Sequence, residues 1–292
     1  MKNSGILLLF IALLSACQKN SQQADAYGNF EAEEVLVSSE SNGKIEALWI
    51  KEGELIQKNK VVALMDSTLP HLQLNELEAQ KQKVNASLAQ MDAQIAIYQQ
   101  QKNNLLTDQK RIERLLDSGA STQKQLDDIN GAMLLIDKQM QAAASQKQAI
   151  AKELGIIAAK KQLVNEQLSK CYVKNPVQGT VLEKYAEAGE ITAAGRPLYK
   201  IAPMEKLILR AYVSGSQLHQ LKTGTRCQVR IDKGTKAYET FEGTLTWVAP
   251  QAEFTPKIIQ TKEERVNMVY AIKVEVPNNG SLKIGMPGEV IF

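Results

Sequence analysis

The chain has 292 residues and a formal net charge of +3, from 35 Lys and Arg residues against 32 Asp and Glu residues. Hydrophobic residues make up 44% of the chain, which is enough for about two domains with buried cores and excludes a disordered or collagen-like protein. The near balance of charge, without a dense basic block, argues against a nucleic-acid partner. Two histidines and 5% aromatic residues are few for a histidine-based catalytic centre, a His-rich metal site or an aromatic cage.

The first residues have the pattern of an export signal. Lys2 precedes an apolar run over residues 6–14, and the small residues Ser15 and Ala16 follow it, as a signal peptidase requires. The run is too short to remain as a membrane span. We therefore predict a signal peptide over residues 1–16.

The residue after this signal is a cysteine. Leu-Ser-Ala-Cys at 14–17 resembles the bacterial lipobox, in which the cysteine is acylated and becomes the first residue of the mature protein. An ordinary secretory signal with a chance cysteine is the alternative. We predict lipidation at Cys17, because several acyl chains give a firm anchor, and a polar tether over residues 17–27. Cys171 and Cys227 are predicted to be small buried residues and not a disulfide pair.

The middle of the chain has the composition of long helices. Between Pro70 and Pro176 there is no proline, and Gln, Lys, Ala, Leu and Ile dominate. Apolar residues recur at alternating steps of three and four, at nine of twelve positions over 77–116 and at eleven of thirteen over 126–168. This spacing is typical of a coiled coil.

A break in this repeat predicts that the chain turns back on itself, so that residues 67–173 form an antiparallel coiled-coil hairpin. The predicted turn residues are Ser118, Gly119 and Ala120. Pairing across the turn puts Lys81 opposite Lys161. Their ammonium groups would have to extend outward or reach carboxylates of a neighbouring copy.

The segments on either side of the hairpin repeat each other. Residues 43–65 and 179–201 align without a gap at an offset of 136, and Gly-Glu-Leu at 53–55 matches Gly-Glu-Ile at 189–191. Each half has only short strands around a Gly-Glu turn and is too small to fold alone. The pair resembles the two symmetric halves of the biotinyl/lipoyl carrier domain.

A true carrier presents a modified lysine at its hairpin tip. Here Met65 is followed by Asp66 and then by the helical region, and no matching lysine exists. A carrier-domain enzyme component is therefore a disfavoured rival hypothesis, and no cofactor is predicted. We assign the N-terminal segment and first lipoyl-like half to residues 28–66 and the second half to residues 174–203.

The last third of the chain is predicted to be rich in β-strands. Apolar residues alternate strictly over 207–213, 227–231 and 268–276, and Gly- and Asn-containing turns separate these runs. Four or more strands with one buried face predict a small β-barrel or sandwich, which we assign to residues 204–292.

These parts, in this order, resemble the HlyD-type membrane fusion proteins, which are the periplasmic adaptors of tripartite export pumps. The resemblance covers nearly the whole mature chain and implies an α+β fold with a long α-helical hairpin between two lipoyl-like halves, followed by a β-barrel. It also implies a non-enzymatic homo-oligomer whose partners are an inner-membrane transporter and a TolC-type outer-membrane channel. The implied location is the periplasm, with the lipid anchor in the inner membrane.

Adaptors of this family contact the outer-membrane channel through a motif at the hairpin tip. The motif is an arginine, a leucine four residues later and a serine seven residues after that. Arg111, Leu115 and Thr122 occupy these positions, and threonine keeps the hydroxyl of the serine but adds a methyl group. The resemblance therefore implies that these three residues contact the channel.

The class of transporter is indicated by the barrel. Phe-Thr-Pro-Lys at 254–257, together with Thr261, residues 264–265 and residues 269–270, resembles the subgroup that works with ABC-type transporters. An adaptor of a proton-driven efflux pump is one alternative. A coiled-coil scaffold lipoprotein without a transport role is another.

The sequence lacks the common catalytic motifs. The sequence has no phosphate-binding Gly-Lys-Ser/Thr loop, His-Glu-x-x-His, Cys-x-x-Cys or Gly-x-Ser-x-Gly. His71 and His219 are interpreted as surface residues. We therefore predict no catalytic residue and no metal site.

Overall fold

The structure is a computed structural model that describes residues 24–234, 237–254 and 268–292. The predicted signal peptide, the predicted lipidation site Cys17 and residues 255–267 of the subgroup segment lie outside these residues. Two helices and fifteen strands are seen in the described part. The helices are α1 (Thr68–Asp117) and α2 (Gln123–Lys170). The strands before them are β1 (Ala26–Glu31), β2 (Val35–Ser38), β3 (Gly43–Leu48), β4 (Leu55–Ile56) and β5 (Val61–Met65).

Ten strands follow the helices. The first four are β6 (Tyr172–Lys174), β7 (Gly179–Lys184), β8 (Ile191–Thr192) and β9 (Pro197–Ala202). The others are β10 (Lys206–Ser214), β11 (Arg226–Lys233), β12 (Ala237–Val248), β13 (Glu253–Phe254), β14 (Met268–Pro277) and β15 (Pro287–Ile291). A short 3₁₀ helix spans Leu218–Gln220.

Helices α1 and α2 form the antiparallel hairpin, so this prediction is confirmed. Near the base of the hairpin, Leu77 and Val84 of α1 pack with Ile157 and Val164 of α2, and all four are buried. Towards the tip, the seam residues are only half-buried. The seam is therefore tightest where the hairpin joins the β domain.

The seam lysines at the base have a partner on their own chain. Lys161 Nζ donates a hydrogen bond to Glu78 Oε2 at 2.9 Å, and Lys81 Nζ lies 3.9 Å from Glu78 Oε1. This differs from the expectation that such lysines extend outward or pair with a neighbouring copy. The sequence pattern did not reveal it, because Glu78 lies beside the seam and not on it.

The remaining polar seam positions also have partners across the hairpin. The pairs are Lys147 with Asp92, Lys102 with Asp137, and Gln109 with Asn130. All of them share one register with the Lys161 pair, since each step along α1 is matched by an equal step back along α2. Polar residues at such positions specify the register of a coiled coil.

Strands from both flanks of the hairpin build the lipoyl-like domain. Its two sheets have the strand orders β2-β9-β7-β4 and β6-β5-β3-β8. Each sheet thus combines strands from before and after the hairpin, as the small size of each half requires. Ile45, Met65, Val181 and Ile201 are among the buried residues between the sheets, and Cys171 is a buried free thiol there.

The barrel is closed by six strands in the order β10-β1-β15-β11-β12-β14, because β14 also pairs with β10. Its first strand, β1, comes from the start of the chain, where the sequence indicated the end of a tether and the beginning of the lipoyl-like segment. Phe30 of β1 is fully buried in the barrel core, and Cys227 is a second buried free thiol. The prediction that the two cysteines are buried and unpaired is confirmed.

Candidate functional site

The end of α1 is shaped by a glycine at the tip of the hairpin. Gly119 has a φ of +74°, a left-handed conformation that favours glycine. Its N–H donates to the carbonyl of Leu116 at 2.9 Å, and the N–H of Ala120 donates to the carbonyl of Leu115 at 2.7 Å. This is the Schellman pattern, which satisfies the last carbonyls of the helix. Ser118, Gly119 and Ala120 lie in the turn between the helices.

Helix α2 begins with a cap built on Thr122. The N–H of Thr122 donates to Gln125 Oε1 at 3.0 Å, and the hydroxyl of Ser121 donates to the same oxygen at 2.7 Å. The Thr122 hydroxyl also lies 3.3 Å from this oxygen. Thr122 therefore has a structural role in starting α2, and Gln125 is a tip residue that the motif did not identify.

The three motif residues all lie at exposed positions near the tip. The Arg111 side chain is 63% exposed and forms an ion pair with Asp108 at 3.2 Å. Leu115 is 38% exposed, and it follows Arg111 by four residues, so both lie on one face of α1. A surface ion pair of this kind contributes little to stability, so Arg111 can exchange it for a partner. The tip thus offers a cationic group beside an exposed apolar side chain.

The position at which a carrier domain bears its modified lysine has a structural role in this chain. Met65 is fully buried, and the carboxylate of Asp66 accepts a hydrogen bond from the N–H of Thr68 at 2.9 Å. This hydrogen bond, together with Lys44 nearby, holds the pKa of Asp66 below its usual value. Asp66 therefore serves the start of α1, where a carrier would present its modified residue.

A buried polar cluster holds the two lipoyl-like halves together. Asn175 is fully buried, and its Nδ2 donates to the carbonyls of Val177 at 2.6 Å and Gln57 at 3.1 Å. Its Oδ1 accepts a hydrogen bond from the Tyr199 hydroxyl at 2.9 Å. Burial raises the pKa of Tyr199, so the hydroxyl remains a donor throughout the physiological range. The repeat did not predict this cluster, because Asn175 lies outside the matched segments, just before the second one begins at residue 179.

The part of the chain that the structure describes has neither a membrane-spanning helix nor a cluster of metal-binding side chains. Neither α1 nor α2 is apolar enough over a sufficient length to span a membrane, and the shorter elements do not qualify. Within the described ranges, His, Cys, Asp and Glu side chains do not gather in groups of three or more that a metal ion would need.

Comparison with family models finds no match. Among sequence relatives, a UPF0194 membrane protein of Yersinia enterocolitica is 27% identical over 98% of this chain and 97% of its own length. A UPF0194 membrane protein of Acidithiobacillus ferridurans, from the asrC 5′ region, is 25% identical over 89% of this chain and 84% of its own.

Two solved structures share the architecture. MacA from Actinobacillus actinomycetemcomitans superposes with a TM-score of 0.56 and 18% identity, covering 92% of this chain and 78% of MacA. The membrane fusion protein Spr0693 from Streptococcus pneumoniae R6 has a TM-score of 0.52 and 18% identity, covering 91% of this chain and 96% of its own. The resemblance to the HlyD-type membrane fusion proteins is thus confirmed at the level of the fold, and the chain is similar to UPF0194 membrane proteins over nearly its whole length.

Proposed function

We propose that this chain is the periplasmic adaptor of a tripartite export system, which couples an inner-membrane transporter to a TolC-type outer-membrane channel. The observation that carries the proposal is the long hairpin. It extends from the lipoyl-like β domain and ends in an exposed tip, where both helices are capped. Helices of 50 and 48 residues give a rod of about 70 Å. A rod of this length can bridge a wide aqueous gap between two membrane-bound partners.

The role is structural and not enzymatic. The carrier position is occupied by Asp66, which serves the start of α1, and the tip presents a cationic and an apolar side chain that suit a contact surface. The membrane fusion protein Spr0693 has the same fold. Copies of the chain act together, because one hairpin cannot enclose a conduit.

The transporter partner is of the ABC type. This part of the proposal is supported by the sequence resemblance of the barrel segment that begins at residue 254. The barrel and lipoyl-like domain would then surround the transporter at the membrane. An adaptor of a proton-driven pump has the same hairpin and tip, so the identity of the captured transporter decides between the two.

The chain is held in the periplasm by a lipid anchor at Cys17, on the inner membrane. The lipobox resemblance supports the anchor, and the tether places the barrel next to the membrane that carries it. Strand β1 begins at Ala26, nine residues after Cys17 in the sequence, and belongs to the barrel.

The proposal is tested by photo-crosslinking from the tip in living cells. A photoreactive residue at Leu115 in the full chain should link to an outer-membrane channel, and one at exposed Gln100 on the shaft of α1 should not. Affinity capture of the full chain should also recover an ATPase or permease subunit. If the Leu115 probe links no outer-membrane protein and capture recovers no transporter, the scaffold lipoprotein alternative is correct and the proposal is wrong.

A further inference from the structure

The backbone symmetry of the lipoyl-like domain extends beyond the repeat in its sequence. The N–H of Asn175 donates to the carbonyl of Lys60 at 2.9 Å. At the positions related by the same offset of 136, the N–H of Ser39 donates to the carbonyl of Arg196 at 3.0 Å. Ser39 is therefore the structural counterpart of Asn175, and both residues are buried.

The two counterparts have neighbours of different size. Asn175 bonds to the Tyr199 hydroxyl and to the carbonyls of Ile56 and Val177, and we call these four residues the barrel corner. The residues at the matching positions form the hairpin corner, and each of them is smaller than its counterpart. The hairpin corner consists of Ser39, Ala63, Thr192 and Ser41. One backbone frame is thus filled by large side chains at one corner and by small ones at the other.

The corners lie at opposite ends of the domain. Burial raises the pKa of the Cys171 thiol, which follows α2, and the Ser41 hydroxyl opposes this shift, so Ser41 lies beside the base of the hairpin. At the other end, Gln178 follows Val177 in sequence. Its Nε2 donates to Glu205 Oε1 at 3.1 Å, immediately before the first residue of the barrel strand β10.

The hairpin corner contains polar groups that its own side chains do not satisfy. Ser39 Oγ donates to the carbonyl of Ser41 at 2.6 Å. A serine has one proton to donate where an asparagine has two, so Ser39 cannot serve both carbonyls that its counterpart serves. Among the residues that the structure describes, Ser41 Oγ and Thr192 Oγ1 are buried and have no hydrogen-bond partner. Thr192 is only 6% exposed, so this hydroxyl does not lie on an open surface.

We infer that the hairpin corner is a binding site for buried water, which takes the place of the Asn175 amide and the Tyr199 hydroxyl of the barrel corner. Water donates and accepts hydrogen bonds, as the hydroxyls of Ser41 and Thr192 do, so it can satisfy both. Buried polar groups without a protein partner are commonly bonded to such water, which contacts about three polar atoms. The inference concerns packing within one chain and is independent of the export partners.

The sign of one stability change tests this inference. Thr192→Val keeps the shape of the side chain and removes its hydroxyl. If the hydroxyl binds water, urea unfolding of the full chain should show a midpoint lowered by about 0.5 M, because a hydrogen bond is lost. The fluorescence of Trp49 in a Trp247→Phe background reports on this domain. An unchanged or raised midpoint would overturn the inference, since removal of a dry, unbonded hydroxyl does not destabilise a fold.

Thr180→Val is the matched control. Thr180 belongs to β7 of the same domain and is only partly buried, so solvent reaches it. Its substitution should change the midpoint by less than half as much as Thr192→Val. An equal loss in both variants would assign the effect to the exchange of threonine for valine and would count against a water site.

A crystal structure of the full chain in detergent gives the direct readout. It should contain an ordered water within hydrogen-bond distance of Thr192 Oγ1. The Ser39→Asn variant should replace that water with the new amide, since the backbone of Ser39 is bonded as that of Asn175 is. Direct bonds from the Ser41 and Thr192 hydroxyls to protein atoms, or a corner without water, would show that the inference is wrong.

Discussion

The Lys161 ammonium group and the Glu78 carboxylate, 83 residues apart in sequence, lie 2.9 Å apart across the base of the hairpin. The second oxygen of the same carboxylate faces Lys81, so one acidic side chain serves a lysine on each helix. Without it, two ammonium groups would stand near each other in the seam. Glu78 therefore contributes to the register that sets the level of every residue along the rod.

Replacement of Glu78 by glutamine should lower the melting temperature of the hairpin in a pH-dependent way. The bond from Lys161 and the charges of Lys161 and Lys81 hold the pKa of Glu78 below its usual value of 4.5. Because the folded-state pKa is depressed, the stabilisation is present above the unfolded pKa and is lost as the pH falls through the folded pKa. Circular dichroism melts should show a deficit at pH 7 that is smaller at pH 3. A deficit of equal size at both pH values would contradict this origin, and Glu113→Gln provides an exposed control on α1.

Removal of the Tyr199 hydroxyl should destabilise the lipoyl-like domain by about 1–3 kcal/mol, because Tyr199→Phe leaves the buried Asn175 Oδ1 without its donor. In a Trp247→Phe background, the fluorescence of Trp49 reports on this domain during urea unfolding. Tyr185→Phe removes a hydroxyl bonded to a surface carboxylate and should change the stability by less than about 0.5 kcal/mol. Equal effects of the two substitutions on the free energy of unfolding would show that the buried hydrogen bond contributes no more to stability than the exposed one.

An aspartate at Leu115 should abolish export while leaving the fold unchanged. Leu115 is an exposed apolar side chain off the seam, so a charge there costs little in the free chain but would be buried against an apolar partner. Export activity and the thermal melt are measured together. Leu134→Asp is the matched control, since Leu134 is 60% exposed on α2 away from the tip. Full export by the Leu115→Asp variant with an unchanged melt would remove this residue from the mechanism.

Replacement of Cys17 by serine should release the protein from the membrane, because the predicted tether offers no other hydrophobic attachment. After a high-salt wash, the variant is expected in the soluble periplasmic or secreted fraction, and the unsubstituted chain in the membrane pellet. Quantitative sedimentation of the variant with membranes would show that the lipoprotein prediction is wrong.

The hairpin and the paired lipoyl-like halves could be predicted because their signals are periodic. Apolar spacing needs only the sequence, and a repeat at a constant offset implies two equivalent halves. The hydrogen bonds between the halves obey the same offset. The N–H of Gly53 donates to the carbonyl of Val181, and at the matching positions the N–H of Gly189 donates to the carbonyl of Ile45. The partners of the seam lysines could not be predicted in the same way, because a carboxylate beside the seam has no periodic signature.

Strand β1 was missed for a similar reason. Only Ala26 and Phe30 of its six residues are buried, and Gly28 lies between them, so the strand shows almost no apolar alternation. Its glycine is required by packing, since a Cβ there would lie 1.9 Å from the carbonyl oxygen of Arg210. Because β1 packs through its backbone, its side chains show no alternating apolar pattern from which a strand could be predicted.

The position of β1 also determines where mechanical load enters the molecule. This strand is bonded on one side to β10 and on the other to β15, and the N–H of Asp25 donates to the carbonyl of Val290 at 2.8 Å. A pull on the chain that precedes Asp25 runs along the strand and stresses two hydrogen-bond ladders at once in shear, instead of peeling one bond at a time. Tension from the anchor proposed at Cys17 would therefore enter the barrel first, and the register of the hairpin seam would be spared.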